Sequence, residues 1–197
     1  MRTIARPAEA KRTERRSRFL AFAFPVRSQE EAEGHLVAVR RRYHDARHVV
    51  YAYRLKEKGE ERVRADDAGE PAGSAGRAIL QLLEGEGLCN VLVVVVRYFG
   101  GVKLGVGGLA RAYREVTRMA LQAAGMVEET PEVHVRVRVP ADRLGEALAL
   151  AGRMGAKVLE QGYDGVPSLT LSLPEEKLEE LKRRVQALGA QAGCWST

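Results

Sequence analysis

The sequence predicts an α+β protein of two domains, residues 1–128 and 129–197. Three observations carry this prediction. Residues 91–96 are an apolar, β-branched run with the length of one buried strand, followed at once by a glycine-rich turn and a helical pattern. Alternating and helical periods recur upstream of this stretch. Beyond Glu128-Glu129-Thr130-Pro131 the pattern restarts as a complete βαββαβ order.

The first domain begins with a basic segment, residues 1–17, which is either a solvated edge strand or tail, or an arm that contacts phosphates. Three strands are then predicted, at residues 19–26, 48–55 and 62–65. Ser28 and Glu31 have the Ser-x-x-Glu spacing of a capping box and predict a helix start. Ser74 is expected to cap a second helix, which follows a loop of acidic residues, glycines and a proline.

Five glycines follow the apolar run: Gly100, Gly101, Gly105, Gly107 and Gly108. Such density indicates backbone in conformations that other residues avoid, or backbone that another group approaches closely. The helix predicted from about residue 107 to 124 should bury Leu109, Ala112, Val116, Met119 and Ala123. Its other side carries Arg111, Arg114 and Arg118, which form either a solvated face or a basic track leading away from the turn.

The second domain reads as strands at residues 133–139, 156–163, 166–173 and 191–195, with one helix after each of the first and third strands. Charge divides the two domains. Residues 1–128 hold 23 Lys and Arg against 16 Asp and Glu, a net +7, whereas residues 129–197 hold 9 against 10, a net −1. The basic character therefore belongs to the domain with the glycine-rich turn and favours an anionic partner.

Several classes of protein are disfavoured by what the sequence lacks. The N-terminus has no apolar signal region, and no stretch is long and apolar enough to span a membrane. Cys89 and Cys194 lie far apart and have no zinc-ligand spacing, which suits a reducing cytosol. The 25 arginines among 32 basic residues fit either a thermophilic source or a GC-rich genome.

Familiar catalytic and nucleotide-binding motifs are also missing, because the chain contains no GxSxG, HExxH, GxxxxGK[ST] or GxGxxG pattern. A general anion site remains: a glycine-rich turn at a helix N-terminus, with Lys103 and Arg97 adding positive charge. Asp67 and Glu70 form part of an acidic loop, which is either an ion-pair scaffold that fixes the turn or, with His48, a group for acid–base or metal chemistry.

Four blocks of the sequence together resemble one family, YigZ/IMPACT in its bacterial two-domain form. The blocks are Ser17-Arg18-Phe19; Ala46-Arg47-His48 with Tyr51-Ala52-Tyr53; Asp67-x-Gly69-Glu70-Pro71-x-Gly73-Ser74-Ala75-Gly76; and Arg97-Tyr98-Phe99-Gly100-Gly101-x-Lys103-Leu104-Gly105-x-Gly107-Gly108-Leu109-x-Arg111-Ala112-Tyr113. The resemblance implies a two-layer N-terminal domain with the ribosomal-protein domain-2-like fold of elongation factor G domain IV. It further implies a ferredoxin-like C-terminal domain resembling elongation factor G domain V, and an association with translation. Eukaryotic relatives act there through protein contacts.

We therefore expect a translation-associated factor that binds RNA or the ribosome and is not an enzyme. The predicted contact surface comprises Arg97, Tyr98, Gly100, Gly101, Lys103, Gly105, Gly107, Gly108, Arg111, Tyr113, Arg114 and Arg118. The two tyrosines are expected either to stack on bases or simply to pack. One alternative is a regulator that binds a protein partner with the same surface. Another is an enzyme for a phosphate-bearing substrate, with His48, Asp67 and Glu70 lining a pocket. No cofactor, metal or catalytic residue is assigned.

Overall fold

The computed structural model describes residues 1–57, 60–130 and 132–195 of the chain. Its contacts divide the chain into two compact units, Met1–Glu129 and Thr130–Thr197. The elements of the first unit are β1 (Arg2–Ile4), β2 (Ala8–Glu14), β3 (Ser17–Pro25), α1 (Gln29–Arg42), β4 (His48–Glu57), β5 (Glu60–Asp66), α2 (Gly76–Gly85), β6 (Val91–Tyr98), α3 (Gly105–Ala124) and β7 (Met126–Glu128).

The apolar run at the centre of the sequence is the middle strand of the first unit. Five antiparallel strands follow the order β2-β3-β6-β4-β5, so β6 has two strands on each side. Residues 91–97 of β6 are all buried, which agrees with a strand that is apolar on both faces. The short strands β1 and β7 form a separate antiparallel pair, and the basic N-terminal segment supplies β1 and the edge strand β2.

Helices cover both faces of this sheet. Residues from α2 and α3 pack with Phe19, Val93 and Val95 on one face. Residues from α1 pack with Leu92 and Val94 on the other. The predicted α+β class is confirmed. The first unit has three layers and not the expected two, because β6 has apolar side chains on both faces and a helix on each side excludes water from them.

Helix α3 buries a different stripe from the one expected. The buried side chains recur every three or four residues and are Leu109, Ala112, Tyr113, Val116, Thr117, Ala120, Leu121 and Ala124. Met119 and Ala123 are exposed, so their predicted burial is wrong. Because each residue turns the helix by about 100°, the middle of the buried stripe runs near Tyr113 and Ala120, and both exposed residues lie on its flank.

The second unit has the predicted βαββαβ order. Its elements are β8 (Glu132–Arg138), α4 (Leu144–Met154), β9 (Lys157–Tyr163), β10 (Pro167–Pro174), α5 (Leu178–Ala187) and β11 (Gln191–Trp195). The antiparallel sheet follows the order β11-β8-β10-β9, which is the ferredoxin-like arrangement. Its core joins Val135, Val137, Leu169 and Leu171 to apolar residues of the two helices.

Candidate nucleic-acid interface

The glycine-rich turn connects the end of β6 to the start of α3. Gly101 and Gly105 have φ angles of 85° and 70°, a left-handed conformation that glycine adopts without steric cost. Helix α3 begins at Gly105, its first turn contains no acidic residue, and the side chain of the N-cap residue Leu104 makes no capping hydrogen bond. The first backbone N–H groups of an α-helix have no partner within the helix and favour anions.

The side chains around the turn form a surface that is both basic and apolar. Lys103 is exposed, and Phe99 is 56% exposed immediately before Gly100. Val102 and Val106 are also exposed. Three exposed apolar side chains within eight residues form a patch, and apolar patches of this kind often mark binding sites.

Beneath the turn lies a buried ion pair. Arg97 Nη1 donates to both carboxylate oxygens of Glu70, at 2.7 and 2.9 Å, and both side chains are at most 5% exposed. The Tyr113 hydroxyl donates to Glu70 Oε1 at 2.8 Å, and Arg97 Nη2 donates to Ser17 Oγ at 3.3 Å. Glu70 therefore connects the acidic loop to the end of β6 and to α3, while Arg97 adds the start of β3.

This network shows that two residues of the predicted contact surface were wrongly placed there. Arg97 and Tyr113 are buried, so neither side chain is presented to a partner, and stacking of Tyr113 on a base is excluded in this conformation. Burial, together with the charge of Glu70, raises the pKa of the Tyr113 hydroxyl well above its ordinary value. The hydroxyl therefore stays protonated and acts as a hydrogen-bond donor to the carboxylate.

Asp67, and not Ser74, accepts the backbone N–H groups at the start of α2. Asp67 Oδ2 accepts from the backbone N–H of Gly73 at 2.7 Å, and Oδ1 accepts from those of Ala75 and Gly76 at 3.0 and 2.8 Å. Ser74 donates its hydroxyl to Pro71 O within the loop, so its predicted role as the cap of α2 is wrong. The carboxylate satisfies several backbone donors at once, which a serine hydroxyl one residue before the cap position does not do.

His48 lies beside the acidic loop, as the enzyme alternative requires. Its Nδ1 is 3.0 Å from Ala68 O. The two carboxylates of that alternative are nevertheless committed to other groups, because Glu70 is bound by Arg97 and Tyr113 and Asp67 is bound by three backbone N–H groups. Among the described residues, no three His, Cys, Asp or Glu side chains are grouped to hold a metal ion.

The basic track of α3 is exposed along its length. Arg111, Arg114 and Arg118 all face solvent, and Arg114 Nη2 donates to Gln81 Oε1 at 2.8 Å. The neighbouring carboxylate of Glu115 is paired with Arg12 at 2.6 Å. Within residues 1–57, 60–130 and 132–195, Lys103, Arg111 and Arg118 form no hydrogen bond or ion pair through their side chains.

Comparison with known proteins shows the family to which this chain belongs. Residues 15–121 match the model of the Impact N-terminal domain, which is more than half of the chain. The IMPACT family member YigZ of Escherichia coli is 31% identical over 172 residues, covering 87% of this chain and 84% of that protein. The chain belongs to the IMPACT family. The resemblance that the four sequence blocks indicated is thereby confirmed.

Two solved structures are similar to this IMPACT-family chain. A crystal structure described as a hypothetical protein matches 97% of this chain and 95% of its own, with a TM-score of 0.71 and 29% identity. The structure of Yih1, described as a two-domain translational regulator, is 31% identical and covers 60% of this chain and 46% of its own, with a TM-score of 0.36. In the part of this chain that the structure describes, no helix is long and apolar enough to cross a membrane.

The remaining residues of the predicted IMPACT surface lie together at the end of β6 and the start of α3. Tyr98, Gly100 and Gly108 are half-buried, and Gly101, Gly105 and Gly107 are exposed. Tyr98 donates its hydroxyl to Asp45 Oδ1 at 2.7 Å, and the Arg18 guanidinium lies 4.9 Å from the centre of its ring. Both contacts hold Tyr98 against the protein. Of its two expected roles, packing therefore fits the structure better than stacking on a base.

Three residues that border the turn are missing from the predicted surface, namely Arg15, Arg16 and Phe99. The β2–β3 loop consists of Arg15 and Arg16, and Gly100 packs against its backbone. The sequence marks Phe99 only as an aromatic neighbour of the glycines. The two arginines belong to the basic segment 1–17, for which phosphate contact is one of the two predicted roles. Because Glu14-Arg15-Arg16-Ser17 lacks the Asn-Gly type of turn sequence that marks a two-residue hairpin, the sequence does not place them beside the glycine-rich turn.

The role of Asp67 can be tested by stability. We expect Asp67→Ala to lower the free energy of unfolding of the first unit by about 1–2 kcal/mol, because three backbone donors lose their acceptor. Asp67→Asn keeps one oxygen and should lose less. Urea titration followed by far-UV circular dichroism measures the change. Glu84→Ala, an exposed site within α2, is the control and should stay within about 0.5 kcal/mol of the parent. Equal stability of Asp67→Ala and the control contradicts the assignment.

Proposed function

We propose that this IMPACT-family protein is a cytoplasmic, non-enzymatic, translation-associated factor that binds RNA, free or within the ribosome. The contact surface is the basic track of α3, Arg111, Arg114 and Arg118, together with Lys103 in the glycine-rich turn. The association with translation that the four sequence blocks imply gives the proposal its biological setting.

The observation that carries the proposal is a row of cations left without neutralising partners. Lys103, Arg111 and Arg118 are exposed and unpaired within the described ranges, whereas the nearby acids Glu70 and Glu115 are paired with other arginines. Arg111 and Arg118 are seven positions apart, so their Cα atoms lie about 10 Å apart along the helix axis. A row of this length fits a chain of phosphates better than one small anion.

Removing two cations tests the proposal. We expect Lys103→Ala/Arg111→Ala to weaken RNA or ribosome binding by about tenfold or more at moderate salt. The slope of log affinity against log salt should also fall by about one for each phosphate that the variant no longer neutralises. Filter binding to RNA and co-sedimentation with ribosomes over a potassium chloride series measure both quantities.

A matched control removes the same charge elsewhere. Arg41→Ala/Arg153→Ala replaces exposed arginines of α1 and α4, and α1 lies on the sheet face opposite α3. This variant should bind like the parent. If Lys103→Ala/Arg111→Ala keeps both the affinity and the salt slope of the parent, the proposal is wrong.

A protein partner is the second candidate, favoured by the exposed apolar residues Phe99, Val102 and Val106 beside the turn. Apolar surface of this kind, rimmed by charge, also suits a protein interface. Pull-down experiments distinguish the two candidates. Capture that survives nuclease and high salt supports the protein partner, whereas capture that either treatment abolishes supports RNA.

A further inference from the structure

The tip of the β2–β3 hairpin has a backbone that its residues do not favour. Arg15 and Arg16 are the two loop residues, and their φ angles are 44° and 68°. Two-residue hairpin loops with two positive φ angles prefer Asn-Gly, because a side chain with a Cβ crowds the backbone in this conformation. The turn itself therefore does not explain two consecutive arginines. Strained backbone of this kind is often found at functional sites.

The hairpin tip is built against the glycine-rich turn. A Cβ on Gly100 would lie 2.0 Å from Arg16 C and 2.4 Å from Ser17 N, so only glycine fits this contact. The backbone N–H of Gly100 also donates to Ser17 Oγ at 3.2 Å. These contacts hold the hairpin tip against Gly100, the residue that directly follows Phe99 in the chain.

Phe99 itself rests against a buried guanidinium group. The buried Arg97 guanidinium lies 5.5 Å from the centre of the Phe99 ring and 5.5 Å from the centre of the Phe19 ring. Arg97 is itself held by Glu70, so the ring rests on an immobilised group and not on a mobile side chain. Phe99 is therefore a pre-organised aromatic surface that still faces solvent.

The two side chains of the hairpin tip carry exposed positive charge. Arg15 and Arg16 are exposed, and their side chains make no ion pair or hydrogen bond to any described residue. The adjacent carboxylate of Glu14 is bound by Arg12 at 3.0 Å. An exposed ring, together with unpaired guanidinium groups on the loop that packs against the next residue, is a combination suited to single-stranded nucleic acid, with bases stacked on the ring and phosphates on the cations.

We infer that Arg15, Arg16 and Phe99 form a subsite for single-stranded RNA at the start of the basic track. One base stacks on Phe99, and its flanking phosphates contact Arg15 and Arg16. The inference rests on the proposed function and adds a preference to it. Base-paired RNA does not offer a free base face to the ring, so the subsite selects unpaired nucleotides.

One double variant distinguishes an effect on backbone strain from an effect on RNA binding. Arg15→Asn/Arg16→Gly installs the sequence that this turn favours and removes both charges. We expect a higher melting temperature together with about tenfold weaker binding of a single-stranded RNA of about 12 nucleotides. Arg15→Lys/Arg16→Lys keeps the charge and should retain most of the affinity. Unchanged affinity in the Asn-Gly variant contradicts the inference, because a purely structural role changes stability alone.

Phe99 provides an independent variant. Phe99→Ala should weaken binding of the same single strand by roughly 5- to 100-fold and leave binding of a duplex of the same length nearly unchanged. Phe99→Trp, which keeps a stacking surface, should retain binding. If Lys103→Ala/Arg111→Ala weakens RNA binding but neither the Asn-Gly nor the Phe99→Ala variant does, the subsite is wrong and the proposed function stands. If none of these variants weakens binding, both are wrong.

Discussion

Replacing Glu70 by alanine is expected to lower the free energy of unfolding of the first unit by about 3–5 kcal/mol. Arg97 then remains in a site where it is 5% exposed, without the carboxylate that accepts two hydrogen bonds from its Nη1. The Tyr113 hydroxyl loses its acceptor at the same time. A buried charge without a partner is costly because the interior cannot replace the water that the charge has given up.

A double substitution shows whether the loss of stability in Glu70→Ala comes from the unpaired charge of Arg97. Glu70→Leu/Arg97→Met replaces both ions by apolar groups and should be less destabilised than Glu70→Ala. Glu70→Gln retains an oxygen acceptor without the charge and should fall between Glu70→Ala and the parent. Urea unfolding followed by far-UV circular dichroism measures all three. A loss below about 1 kcal/mol in Glu70→Ala shows that the ion pair is exposed or dispensable in solution.

Gly100→Ala is expected to destabilise the first unit by about 3 kcal/mol, although it adds only one methyl group. The new Cβ would lie 2.0 Å from Arg16 C and 2.2 Å from Arg16 O. Both atoms belong to the backbone of a two-residue turn, so they cannot move aside as the end of a side chain does. Relief requires separation of the hairpin tip from the turn, which breaks the hydrogen bond from Gly100 N to Ser17 Oγ.

Gly107→Ala is the matched control from the same glycine-rich stretch. A Cβ there meets no atom within 4 Å, and the residue lies in α3. Alanine favours a helix over glycine by about 0.5–1 kcal/mol, so this variant should be slightly more stable than the parent. Opposite changes in melting temperature for the two glycines are the expected result. Equal behaviour of the two variants contradicts the close approach at Gly100.

Local patterns predict the fold better than the site. The strand at residues 91–98, the turn and the helix that follows depend on short-range signals, namely β-branched residues, glycines and a helical period. The βαββαβ order is also predictable, because each element is bounded by a proline or glycine. The third layer is not, since the pattern of α1 indicates a helix without any signal for the sheet face that it covers.

The burial of Arg97 cannot be predicted from its neighbours. An arginine that ends an apolar run looks like the point where a strand reaches solvent, so the local pattern predicts a surface position. Its partners are Glu70, 27 positions away, and Ser17, 80 positions away. A buried charge depends on partners supplied by tertiary structure, which periodicity does not reveal. The same holds for Tyr113, whose acceptor lies 43 positions away.

The hydroxyl of Ser17 accepts hydrogen bonds from both Arg97 Nη2 and Gly100 N. Because this one oxygen contacts both the interior ion pair and the glycine-rich turn, a substitution that disrupts the ion pair should also shift the hairpin tip. Under the proposed function, a genetic screen for defective RNA binding should therefore recover changes at the buried residues Ser17 and Glu70 alongside changes at exposed arginines. The two groups separate by temperature: interior variants should regain binding on cooling, whereas variants that remove a cation from the surface should stay defective at every temperature.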